Sequence, residues 1–311
     1  MAVTDRPIEV LASCPARVSR TTLGAYVALT KPRIMSLLLF TTLAALLMAQ
    51  REYPVSGSRF IVVLVCTLIG GAMASGGAAA LNCYIDRDID ELMARTKRRA
   101  IPAGTLTPTQ ALYFGLTLSA ASVALLALTT NMLAAGLALL GNVFYVVIYT
   151  LWLKRATTQN IVIGGIAGAI PPLVGWAAIT DSLALPAILL TVIITYWTPA
   201  HFWALALLVR RDYNRARVPM LPAVTSERHA QWQILVYALL VVIASLLLFA
   251  VHAMGVIYLI AAIALGGGFV YHAVSLREHG SARQARRTFM YSNYYLAALF
   301  AFMIVDRIIG L

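Results

Sequence analysis

A chain of 311 residues that is 61% hydrophobic and only 12% charged lies outside the composition of soluble domains and reads as an integral membrane protein. The formal net charge of +12 would suit nucleic acid only if the basic residues gathered on a polar domain. No stretch is long or polar enough to make one, so the expected surroundings are a lipid bilayer and no nucleic acid. Cys14, Cys66 and Cys83 lack ligand spacing and give neither a disulfide framework nor a zinc site.

Residues 1–23 are mixed and polar, without the apolar core of a signal peptide, and are expected to form a flexible cytoplasmic tail ahead of one intramembrane domain, 24–311. Apolar runs long enough to cross a bilayer recur near 26–49, 60–81, 109–129, 132–152, 160–179, 184–208, 232–251, 254–275 and 290–309. Pro171-Pro172 should break the fifth near its middle. Lys and Arg concentrate in cytoplasmic loops. With the N-terminus inside and nine crossings, only Arg51, Arg59 and Arg307 of the 24 basic residues fall elsewhere, whereas an even number of crossings would spoil that bias. The expected fold is therefore an all-α membrane protein: nine transmembrane helices bundled around a central cavity, N-terminus cytoplasmic, C-terminus outside.

The segment after the second run, NCYIDRDIDELMARTKRRAIP (82–102), puts carboxylates at a membrane boundary, where they are expensive. If the helix continues, Asn82, Asp86 and Asp90 fall within a sector of about 80° and form one stripe, with Asp88 on the far side. Clustered oxygen ligands suit Mg²⁺. The following Arg95, Lys97, Arg98 and Arg99 would then meet a metal-bridged polyanion such as a diphosphate. A salt-bridged, solvated loop is the plainer alternative.

A second cluster spans 196–224. Pro199 interrupts an apolar helix, and His201 suits either a hydrogen-bonded packing role or a porphyrin or substrate contact. Asp212 repeats the boundary carboxylate among Arg210, Arg211, Arg215 and Arg217, where a simple ion pair is equally open. Lys31-Pro32-Arg33, Tyr149 with Lys154 and Arg155, and Gln159-Asn160 lie at the same ends of their helices. Basic residues there ordinarily act as headgroup anchors. Gly70, Gly71, Gly76 and Gly77, and Gly164, Gly165 and Gly168, permit close helix contact.

These residues together resemble the UbiA superfamily of intramembrane prenyltransferases, and within it the branch that farnesylates heme. The likeness rests on LTKPRIMSLLL (29–39), NCYIDRDIDELMARTKRR (82–99), YTLWLKR (149–155), QNIVIGGIAGAIPPLVGW (159–176), WTPAHFWALAL (197–207) and DYNRARVPMLP (212–222), and covers about 25–310. It implies catalytic, metal-holding roles for Asn82, Asp86, Asp90 and Asp212, with Mg²⁺ as cofactor. Diphosphate contacts would come from Arg33, Arg95, Lys97, Arg98, Lys154 and Arg217, and heme contacts from His201, Trp203 and Tyr213. Many superfamily members pair two aspartates four apart in the second motif; here Asp212 is followed at that spacing by Ala216. The implied reaction joins farnesyl diphosphate to a vinyl group of heme B with addition of water, in a multi-pass bacterial inner-membrane enzyme whose site faces the cytoplasm and which supplies a heme A synthase. The rival readings are a quinone-precursor or other aromatic acceptor, and a cation transporter.

Overall fold

The computed structural model describes residues 21–309. Among them are nine helices long and apolar enough to cross a membrane: α1 Pro32–Glu52, α2 Gly57–Ile85, α3 Pro108–Thr129, α4 Met132–Ala156, α5 Asn160–Thr180, α6 Leu185–Leu208, α7 Glu227–Ala250, α8 Val256–His279 and α9 Ala282–Ile309. Large apolar side chains face outward along them, including Leu128, Ile260 and Ile263, each more than half exposed. In water such a surface would be unstable; against lipid it is at no disadvantage.

The spans follow the expected apolar runs, and the two largest boundary shifts are at the starts of the first and last. The first run is broken. Residues Thr22–Leu29 form a separate short helix, and α1 begins only at Pro32, because Lys31 adopts a left-handed backbone (φ 52°). Proline fills the first helical position without needing an N–H, and it disfavours a helical residue before it. Thr22 and Leu23 of the expected tail therefore already belong to a helix, and residues 1–20 lie outside the described part. At the other end α9 starts at Ala282 rather than 290, its polar first turns projecting beyond the apolar stretch.

Helix α1 packs on α2, the second half of α5, and α9, so the bundle closes on itself; α2 packs on α3, α3 on α4, α6 on α7 and α9, and α7 on α8. Helices α2 and α3 approach closely. A Cβ placed on Gly77 would stand 2.8 Å from the Gly115 carbonyl oxygen, so both positions must be bare for the backbones to meet. Helix α5 is interrupted at Ile170, between Asn160–Ala169 and Pro171–Thr180, as the paired prolines require. One extended core joins side chains of α1 and α5 through α9, including Trp176, Trp203, Tyr258, Phe269 and Phe300. A smaller one ties α1 through α5 around Leu46, Leu126 and Val174.

Alternation of the spans gathers the loops after α2, α4, α6 and α8 at one end, together with the start of α1. Both longer loops open with a six-residue helix, Arg87–Leu92 after α2 and Arg210–Arg215 after α6.

Candidate active site

Helix α2 ends at Ile85, yet its hydrogen-bond ladder does not. The Asp86 amide donates to the Asn82 carbonyl (2.9 Å) and the Asp90 amide to the Asp86 carbonyl (2.8 Å). The register therefore passes through the joint, and the stripe forms as the spacing requires. Its three side chains are nearly or wholly buried, with Asn82 4%, Asp86 0% and Asp90 2% exposed. Asp88 falls on the far side, with its side chain 60% exposed and held by both Arg155 Nη atoms at 2.7 Å. That guanidinium keeps the Asp88 carboxyl below the usual carboxylate range.

Each buried stripe residue meets a cation from a different segment. Lys31 Nζ donates to Asn82 Oδ1 at 2.7 Å, and Asn82 Nδ2 donates in turn to Asp86 Oδ2 at 2.6 Å and to Thr150 Oγ at 3.2 Å. Lys154 Nζ reaches Asp86 Oδ2, while Arg155 stands 3.8 Å from Asp86 Oδ1. Arg99 Nη1 donates to both oxygens of Asp90, at 2.9 and 2.7 Å. Burial lowers the Lys31 ammonium below the ordinary lysine range, outweighing the pull of Asp90 and Asp86. Burial also opposes the charge of Arg99, but Asp90 prevails and holds that guanidinium above its usual value. The left-handed turn at Lys31 costs roughly 1–3 kcal/mol, and the bond from its ammonium to Asn82 is what the turn secures.

The face of α4 that meets the stripe is not regular. Phe144–Leu153 winds as a π-helix, and Thr150 Oγ donates five residues back to the Tyr145 carbonyl at 2.8 Å. Wide turns of this kind are rare and concentrate at functional sites. Tyr149 of the same turn lies against α5, where a Cβ on Gly164 would come within 2.2 Å of its ring. Glycine there makes room for the tyrosine.

The second half of the site comes from the loop after α6. Asp212 Oδ1 accepts from the Ala94 amide at 3.4 Å across 118 residues, so the two loops with carboxylates meet. Tyr213 beside it is buried; burial pushes its phenol above the usual range against the opposing influence of Arg95 and Arg99. Arg95, next to Ala94 in that turn, is exposed.

Other expected site residues take different places. Lys97 and Arg98 are exposed on the loop, Arg33 is exposed in the first turn of α1, and Arg217 is exposed at a left-handed φ of 53°. His201 and Trp203 are buried inside α6. His201 Nδ1 is hydrogen-bonded to Ser292 Oγ at 2.7 Å, its ring stacks on Trp197 at 4.2 Å, and Phe289 lies 4.7 Å away. Trp203 meets Tyr237 edge-on at 5.4 Å. These are the contacts of packed core side chains. Sequence reasoning does not single out Thr150, and it places Arg99 among the residues facing a polyanion and Lys31 at a helix end without pairing either with the stripe. For Lys31 a signal existed in the proline that follows it.

The stripe offers oxygen donors only, and Asp86 Oδ1 is buried without a hydrogen-bond partner. Among the described residues no group of three His, Cys, Asp or Glu side chains is placed to share a metal ion. The unpartnered carboxylate oxygen in an all-oxygen set is what fits Mg²⁺, a cation commonly held by one or two carboxylates plus substrate phosphates.

Residues 38–295 match the UbiA prenyltransferase family. A protoheme IX farnesyltransferase from Gloeobacter violaceus is 51% identical over 92% of this chain and 92% of its own length. Another, from Chloroflexus aurantiacus, is 49% identical over 93% of the chain; the chain spans about half, 49%, of that longer relative. Among solved structures, a digeranylgeranylglyceryl phosphate synthase superposes with a TM-score of 0.75 over 92% of this chain and 99% of its own, at 17% identity. A UbiA homolog from Archaeoglobus fulgidus bound to DMAPP and Mg²⁺ gives a TM-score of 0.63 at 13% identity, over 89% of this chain and 98% of its own. At such identities these two likenesses concern the fold.

Proposed function

Since this chain belongs to the UbiA prenyltransferase family and is a membrane prenyltransferase, we propose that it converts heme B to heme O by moving farnesyl from farnesyl diphosphate to a heme vinyl group, with addition of water. The observation that carries the choice of acceptor is the likeness, near half identity over nine-tenths of the chain, to relatives named protoheme IX farnesyltransferase.

In this reading the bond between the allylic carbon and the diphosphate oxygen breaks, and the electron pair leaves with the diphosphate. The vinyl carbon donates its π electrons to the allylic cation. Water then adds at the neighbouring carbon and loses one proton. Mg²⁺, as bound with DMAPP in the Archaeoglobus fulgidus homolog, would supply charge neutralisation for the leaving group, held by Asn82, Asp86, Asp90 and Asp212. The chain's own residues do the rest. Lys154 and Arg99 fix the two buried carboxylates, while Lys31 fixes the carboxamide between them and Thr150. Arg95, Lys97 and Arg98, with Arg33 and Arg217, form the basic surround that draws the diphosphate. Preorganised charge of this kind typically lowers barriers by several kcal/mol, because nothing has to reorient as the charge develops. The apolar bundle shields the cation from bulk water. Tyr213, beside Asp212, is assigned to the porphyrin side, with His201 and Trp203 of α6 packed in the core. The site faces the cytoplasm of a bacterial inner membrane, the C-terminus lies outside, and heme O passes to a heme A synthase.

The test is incubation of purified protein in nanodiscs with farnesyl diphosphate, Mg²⁺ and either heme B or 4-hydroxybenzoate. A heme product heavier by one farnesyl and one hydroxyl group is expected. Prenylated hydroxybenzoate with heme unchanged would overturn the acceptor.

A further inference from the structure

Asn160 opens α5 between the two halves of the site, and its side chain is fully buried at 0% exposure. Its Nδ2 donates to the Pro219 carbonyl at 3.4 Å, across 59 residues, in the loop that carries Asp212 and Tyr213. Its Oδ1 is buried with no hydrogen-bond partner. One turn along the same face is Gly164, against which Tyr149 is seated, and the next residue of that π-helical turn, Thr150, accepts from Asn82. The other carbonyl of this turn is engaged locally: the Val218 amide donates back to the Tyr213 carbonyl at 3.1 Å and the Met220 amide to the Val218 carbonyl at 2.7 Å. The Asn160 bond is thus the tie from α5 to a loop otherwise closed on itself at this turn. An unsatisfied buried oxygen is costly, about 1–3 kcal/mol, and a leucine, branched at the same carbon though larger, carries no such oxygen. Asparagine at this point is a poor choice for stability.

We propose that Asn160 is a positioning residue for the diphosphate half of the reaction: it anchors the 212–220 loop to α5, keeping Asp212 and Tyr213 against the Ala94 turn, and its spare oxygen receives a donor present only in the loaded site. This deepens the prenyltransferase reading and rests on it. The orphaned oxygen is what distinguishes such a role from packing. Removing a group needed only for packing weakens folding and function together; removing this one relieves folding while weakening binding.

The experiment compares full-length wild type with Asn160→Leu and Asn160→Asp in nanodiscs. Two quantities are read: the thermal midpoint without ligands, and the Kd for inorganic pyrophosphate with Mg²⁺ by calorimetry. The expected result for Asn160→Leu is an unchanged or raised midpoint with pyrophosphate bound about five- to tenfold more weakly, the worth of one neutral hydrogen bond. Asn160→Asp, which has no N–H to offer Pro219 but keeps an acceptor oxygen, should fall between wild type and Leu. With farnesyl diphosphate and heme B, KM should rise for the former and stay for the latter. Wild-type pyrophosphate affinity in Asn160→Leu, or loss of midpoint and affinity in parallel, overturns the proposal. Because pyrophosphate binding needs no acceptor, failure of wild type to farnesylate heme would count against the proposed function while leaving this comparison intact.

Discussion

Replacing Lys154 by methionine keeps the apolar stem and removes the charge facing Asp86. Asp86 is 0% exposed, so its carboxylate would be left buried with Arg155 at 3.8 Å and the Asn82 amide at 2.6 Å as its remaining support. Breaking a buried pair by deleting one partner costs about 3–5 kcal/mol. The amide bond and the distant guanidinium offset part of that, and we expect a loss of about 2–4 kcal/mol. Asp86→Asn alone leaves Lys154 partly buried but able to reach water, and should cost less. The double variant Lys154→Met with Asp86→Asn has no buried charge left. It should recover at least about 2 kcal/mol relative to the sum of the single losses. Denaturation in mixed micelles, followed by tryptophan fluorescence, measures all four corners of the cycle. Turnover should be lost in every variant, since the double restores the fold and not the site. Additive losses, with no recovery in the double, would refute the view that Lys154 balances a buried carboxylate.

Burial holds Lys31 below the ordinary lysine range, so on raising the pH it loses its proton before exposed lysines do. Its neutral form is the one the fold prefers, and stability from this group therefore rises with pH between the folded and unfolded values while kcat/KM for the diphosphate substrate falls. Lys31→Arg should move that alkaline limb to higher pH, and an unmoved limb in the pH–rate profile would contradict the assignment. Asp88 is the opposite case: its exposed pair with Arg155 should contribute about 0–1 kcal/mol, so Asp88→Asn should leave unfolding and turnover close to wild type. The lowered carboxyl means the pair persists above the unfolded value and is lost only as acid takes the pH down through the folded one. A large loss of stability in Asp88→Asn at neutral pH would show that the exposed pair matters more than its solvation allows.

The spans were legible because a bilayer sets a length that soluble helices do not have to meet, and because basic residues mark one side. The break before α1 was legible only in part: Pro32 disfavours a helical Lys31, but nothing in the sequence shows that Lys31 turns left-handed and carries its ammonium to Asn82. The stripe was legible for a similar reason of geometry: three residues four apart share a face whether or not the helix is perfectly continuous, and Asp88 two positions away cannot join them. What fixed spacing cannot reveal is the partner. Lys31 looked like a headgroup anchor, Lys154 like a diphosphate contact and Arg99 like one of several residues facing a polyanion, until folding brought each to a particular oxygen. The π-turn of α4 left no trace in the apolar run 132–152, because widening the helix by one residue changes neither its hydrophobicity nor its length enough to notice.

Those partners also account for where the site can exist. Two carboxylates buried at the edge of a bilayer would protonate or unfold the bundle if left alone. Here Lys154 comes from the end of α4, Arg99 from the loop after α2, and Lys31 from the turn before α1. Two of these cations balance Asp86 and Asp90, and the third rests on the neutral Asn82. The stripe as a whole is therefore cationic by one charge before Arg95, Lys97 and Arg98 are considered, despite its acidic sequence. An anion reaching this end of the bundle meets attraction rather than the repulsion that the aspartates alone would exert. It arrives at groups already fixed by hydrogen bonds, whose desolvation was met during folding rather than during binding.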